Sequence, residues 1–81
     1  MSFNSFTIDL HGQTTDEATA TILNALFSFE QDEYLEYFDI ITGNGTGALK
    51  FVAENLLIEE KYSFSYLNNN HSVIRVYKKW Y

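Results

Sequence analysis

The chain has 81 residues, a formal net charge of −6, no cysteine and no proline, and 46% of it is hydrophobic, including seven Phe, six Tyr and one Trp. A chain this short buries only around 60 to 65% of its unfolded surface, so its core must come from large rings that bury on the order of 150 to 250 Å² each. The missing cysteine excludes a disulfide scaffold, a thiol nucleophile and a thiolate metal site, and five Lys and Arg against eleven Asp and Glu argue against a general electrostatic grip on a nucleic-acid backbone.

In chain order, FTIDLH at 6–11 alternates Phe6, Ile8 and Leu10 with Thr7, Asp9 and His11, the pattern of a half-buried strand. TTDE at 14–17 is a capping box, with Thr14 as N-cap and Glu17 at N3. Behind it Ala18, Ile22, Ala25, Leu26 and Phe29 recur at helical spacing. An acidic loop at about 30–36 ends that helix, and YFDIIT at 37–42 reads as a more buried strand. Leu49, Val52, Ala53, Leu56 and Leu57 form a second helical stripe that ends near Lys61. YSFSYL then alternates aromatics with Ser63 and Ser65, NNNH is a turn, and SVIRVYKKWY closes a hairpin.

The order βαβαββ predicts one α/β domain over residues 1–81, an α+β two-layer sandwich with a four-stranded mixed sheet and two helices on one face. No apolar run approaches the roughly 20 residues of a membrane span. The N-terminal MSFNSFTIDL lacks the charged start of a signal peptide, so a soluble cytoplasmic protein is expected. Charge is unevenly placed: residues 1–49 hold eight acids and no Lys or Arg, a net −8, and residues 50–81 hold three acids and all five bases, a net +2.

Ligands of open sheets with parallel strands bind beyond the carboxyl ends of the strands, where two motifs fall. In DLHG, Asp9 and His11 lie on the same side of the strand, opposite Ile8 and Leu10. A carboxylate beside an imidazole is the minimal pair for acid-base work; the same pair can equally tie down the loop before the first helix. TGNGTG at 42–47 holds three of the four glycines. Its G-x-G-x-G spacing fits neither a P-loop nor a dinucleotide fingerprint. A glycine loop opening a helix offers backbone N–H groups to an anion, and Thr42, Asn44 and Thr46 add side-chain partners for one phosphate. The alternative is a tight turn with Thr46 as helix N-cap. Lys50 is the nearest base.

Together, IDLHG at 8–12 and IITGNGTGALKFVAENLL at 40–57 resemble the Smr (small MutS-related) domain, whose signatures are an L-D-L-H-G strand end and a T/H-G-x-G loop before the second helix. The resemblance covers about residues 6–77 and implies the same βαβαββ fold, similar to the C-terminal domain of translation initiation factor three. It further implies a nucleic-acid function on DNA or RNA. Such domains stand alone or end a MutS paralogue that acts in recombination and on stalled ribosomes, so the ribosome and the rest of a MutS-like chain are implied partners.

Several members are metal-assisted endonucleases. By that resemblance Asp9 and His11 are the candidate catalytic pair, Thr42, Gly43, Asn44 and Gly45 the phosphate-binding loop, and Mg²⁺ or Mn²⁺ the cofactor of a nuclease. The chain departs from the family where Asn44 replaces the basic residue that many members carry between the first two loop glycines. Arg75, with Lys78 and Lys79 on the same strand, is the late source of a positive patch, or an ordinary solubilising charge. One Asp and one His fall short of a metal-ligand set, and His71 reads as a turn residue. Three functions follow as expectations: a nucleic-acid-binding module, an endonuclease, and a protein-protein contact domain.

Overall fold

The computed structural model describes residues 5–43, 45 and 47–79. Among them the elements run β1 (Ser5–Asp9), α1 (Thr15–Gln31), β2 (Tyr37–Ile41), α2 (Ala48–Glu59), β3 (Phe64–Tyr66) and β4 (Val73–Tyr77), the predicted βαβαββ order. The sheet order is β1-β2-β4-β3. β1 and β2 are parallel, with Ile8 opposite Ile40. β4 inserts antiparallel between β2 and β3, so β2 and β3 also run parallel across the α2 crossover.

Alternation assigns the two faces. Phe6, Phe38, Val76 and Phe64 form one cross-strand row, and Ile8, Ile40, Ile74 and Tyr66 the next; these rows meet the helices. Phe38, Ile40, Ile74 and Val76 are fully buried against Ala18, Ile22, Phe29, Ala53 and Leu57. Phe6 stacks on Phe38 at 4.8 Å between centroids, and Phe29 meets Phe38 edge-on at 4.9 Å. The other face carries the row Thr7, Asp39, Arg75, Ser65 and is left open by the helices. No helix among the described residues is long and apolar enough to cross a membrane.

The capping box forms as read: Thr14 Oγ1 accepts from the Glu17 N–H at 3.1 Å and Glu17 Oε1 from the Thr14 N–H at 2.9 Å. The start of α2 differs from expectation. Its N-cap is Gly47, at φ 90° and with no side-chain cap hydrogen bond, where the sequence pattern offered Thr46. A positive φ disfavours any residue with a Cβ, which explains why the chain turns into the helix at Gly47; Thr46 itself lies outside the described residues.

α2 closes in a Schellman geometry, with Tyr62 N–H donating to Leu57 O at 2.8 Å and Lys61 N–H to Ile58 O at 3.0 Å. The left-handed position that glycine normally takes there is filled by Lys61 at φ 65°. At the end of α1 the Lys78 ammonium donates to the carbonyls of Phe29 and Asp32 and lies 4.4 Å from the Phe29 ring centroid. A cation is thereby placed on the negative end of the helix dipole.

Candidate functional site

Parallel β1 and β2 end at the same edge of the sheet, and each is followed by the N-terminus of a helix. The two motifs are therefore brought together by topology. Leu10 N–H continues the ladder to Ile41 O at 2.8 Å, and Gln13 N–H then closes a turn onto Leu10 O at 2.9 Å. His11 and Gly12 occupy the corner of that turn. Opposite it, Thr42 leaves β2 and Gly43 bends the chain at φ 78°.

Between these corners lies a cleft of about 320 Å³ lined by His11 to Thr15, Thr42, Gly43, Gly45 and Gly47 to Lys50. The His11 ring comes close to Gly43: its Cδ2 is 3.8 Å from where a Cβ on Gly43 would sit. Thus DLHG and TGNGTG share one site through a direct His11–Gly43 approach. Among the described lining residues there is one lysine, one histidine and no carboxylate, in a chain with eleven acids.

Other candidate residues have defined duties. Asp9 Oδ1 accepts from the backbone N–H of His11 at 2.9 Å; it sets the turn that carries the imidazole and does not line the cleft. Thr42 is buried, its N–H and hydroxyl both directed to Ser72 O at 2.9 and 3.3 Å, which ties the loop to the start of β4. Lys50 reaches Asn70 O at 3.4 Å, leaving further ammonium hydrogens for a ligand. Asn44 and Thr46 lie outside the described residues.

Arg75 is placed elsewhere. It sits on the open face of the sheet, with Nε 2.9 Å and a terminal nitrogen 3.1 Å from the Asp39 carboxylate oxygens and with its guanidinium carbon 3.9 Å from the Tyr37 ring centroid. The Asp39 hydrogen bond is the main reason its pKa is raised. Lys78 caps α1, and Lys79 lies 4.3 Å from the Tyr62 ring centroid. The late bases therefore do not converge on the cleft.

Gln13, Thr14 and Thr15 join the site without having been singled out for it. The signal was available, since two helices that follow parallel neighbouring strands must start at one edge. The turn Asn68–Ser72 borders it through Thr42 and Lys50, and no local pattern announces that. The donor set does not fit a resident metal ion: among the described residues no three His, Asp or Glu side chains cluster, and one oxygen of Asp9 is engaged by backbone.

A family model for the Smr domain matches residues 8–75. Among solved structures, the Smr domain of Thermus thermophilus MutS2 aligns with a TM-score of 0.77 at 29% identity, covering 88% of this chain and 94% of that one. The human small-MutS related domain aligns with a TM-score of 0.72 at 27% identity, covering 89% and 99%. The Smr domain of B3BP, at 24% identity, shares the fold with a TM-score of 0.79 over 90% of this chain and 77% of that one. No curated protein matches the sequence significantly.

Proposed function

The chain belongs to the Smr domain family, a family known for nucleic-acid binding and nuclease-like activity, and from that premise we propose that it is a nucleic-acid-binding module that seats a backbone phosphate in the cleft between DLHG and the glycine loop. The observation that carries this reading is the composition of the cleft. Among its described lining residues are Lys50 and His11 and no Asp or Glu, at the N-terminal end of α2, whose first turn carries no acid and whose dipole favours an anion; the start of α1 is already capped by the Glu17 carboxylate. Gly43 and Gly45 keep the approach to the backbone open, Thr42 holds the loop in place through Ser72, and Lys50 supplies the charge.

The partner is DNA or RNA, ribosomal RNA included, met in the cytoplasm either by this domain alone or as part of a MutS-like chain. Affinity is modest, because a single lysine in the described lining neutralises few phosphates. Hydrolysis is the second reading, favoured by the exposed His11 ring at Gly43: the imidazole takes a proton from a water as its oxygen bonds to phosphorus, the P–O bond to one sugar oxygen breaks, that oxygen leaves with a proton from solvent, and Asp9 positions the imidazole through the backbone of the turn.

The test is binding by fluorescence anisotropy of single-stranded RNA, single-stranded DNA and a branched DNA, followed by incubation with Mg²⁺ or Mn²⁺. Binding weakened in Lys50→Ala supports the module. Strand cleavage abolished by His11→Ala adds the nuclease. If no nucleic acid binds at low salt, the reading falls and a protein-protein contact domain takes its place.

A further inference from the structure

The turn between β3 and β4 is built with more constraint than a hairpin connection needs. The Asn68 side chain accepts from the N–H groups of Ser72 and Val73 at 3.0 and 3.2 Å and donates to Ser72 Oγ at 2.6 Å. Ser72 Oγ in turn donates to Asn70 Oδ1 at 3.1 Å. Within this clamp His71 is held at φ 56°, a left-handed conformation that L-residues avoid. Its ring is stacked on Tyr66, 4.1 Å between centroids and 14° between planes, and the residue is exposed.

The same turn is fastened to the cleft on both sides. Ser72, the next residue, accepts from Thr42. Asn70, the preceding one, accepts from Lys50. A rigid, solvent-facing imidazole backed by a tyrosine thus stands beside two residues of the cleft wall. Aromatic side chains fixed next to a phosphate site are how proteins hold unpaired bases, whose flat faces stack without regard to sequence. A base inside a duplex is already stacked and has no free face to offer.

We propose that the exposed face of the His71 ring, stacked on Tyr66 at the rim of the cleft, receives a nucleobase, so that the partner is single-stranded nucleic acid with an unpaired base beside the seated phosphate. This rests on the cleft being a phosphate site, and it names the strand state that the cleft alone leaves open.

The experiment is anisotropy with a short single-stranded RNA, the same RNA carrying an abasic site at each position in turn, and its duplex, against wild type, Lys50→Ala, His71→Ala, His71→Phe and His71→Gly. Loss of one stacked base corresponds to roughly a 5- to 150-fold weaker Kd, and the lower part of that range suits so exposed a ring. His71→Ala and His71→Gly are expected to bind at least 5-fold more weakly and to lose their sensitivity to one abasic position, while His71→Phe keeps both. His71→Gly suits the left-handed backbone, so its weak binding cannot be ascribed to a collapsed turn. If His71→Ala and His71→Gly bind as wild type while Lys50→Ala binds weakly, the stacking inference is overturned and the cleft reading stands. If the duplex binds as well as the single strand, the inference is likewise overturned.

Discussion

At the residue scale, two left-handed positions separate what the sequence displays from what it hides. Gly43 is visible, because a glycine in a conspicuous loop is the residue one expects at φ 78°. A Cβ there would meet His11 only at 3.8 Å, an ordinary contact, so the penalty for Gly43→Ala is conformational, about 1 to 2 kcal/mol. Urea unfolding should show that loss. Lys61 at φ 65° is invisible in the sequence, since nothing about a lysine after a helical stripe marks the Schellman position. Lys61→Gly is therefore expected to raise stability by about 0.5 to 1 kcal/mol; a midpoint unchanged or lowered in the same melt would show that Lys61 is not strained. The role of Asp9 was half legible. Its side of the strand could be read from alternation, but its acceptance of the His11 backbone N–H depends on a turn that closes beyond the strand end.

At the element scale, the start of α1 was written in the sequence and its end was not. The capping box is local, four residues long, and forms as read; Thr14→Ala should cost about 1 kcal/mol, checked by thermal or chemical denaturation. The C-terminal cap comes from Lys78, 49 residues away from Phe29. In the sequence it is one more base on the last strand. Both helices lack a basic residue in their last turn, so Lys78 supplies to α1 the cation its own sequence omits. Lys78→Ala is expected to destabilise the fold by about 1 to 2 kcal/mol and to leave nucleic-acid affinity within about twofold, since one distant charge counts little beyond a Debye length. A variant with full stability and weakened binding would return Lys78 to a nucleic-acid role. α2 is the reverse case: its apolar stripe was plain, while its entry at Gly47 was hidden among three alternating glycines.

At the scale of the whole molecule, the βαβαββ order and the two-layer sandwich followed from hydrophobic periodicity, because each core row repeats every second residue in the strands. The insertion of β4 between β2 and β3 did not, since pairing order leaves no local trace. It is this insertion that brings Ser72 to Thr42 and the β3–β4 turn to the rim of the cleft. It also puts Arg75 opposite Asp39 on the open sheet face, where the two neutralise each other. Glu30, Asp32, Glu33 and Glu36 lie in or just after the last turn of α1, and Glu59 and Glu60 at the end of α2; at the opposite, cleft end of the helices the first turn of α1 holds Asp16 and Glu17 and that of α2 holds no acid. With Lys50 and His11 as the basic side chains among the described lining residues, one or two phosphate contacts are expected, and the slope of log Kobs against log salt for a single strand should be shallow, about −0.7 to −1.4. A much steeper slope would mean that bases outside the cleft join the contact.

The most direct test of the cleft as the nucleic-acid site is an amide NMR titration of the labelled protein with a short single-stranded RNA. The structure predicts shifts confined to residues 11–15, 42–50 and 68–72, weakened by salt. Shifts concentrated instead on the open sheet face, at Thr7, Asp39, Ser65 and Arg75, with the cleft silent, would contradict it.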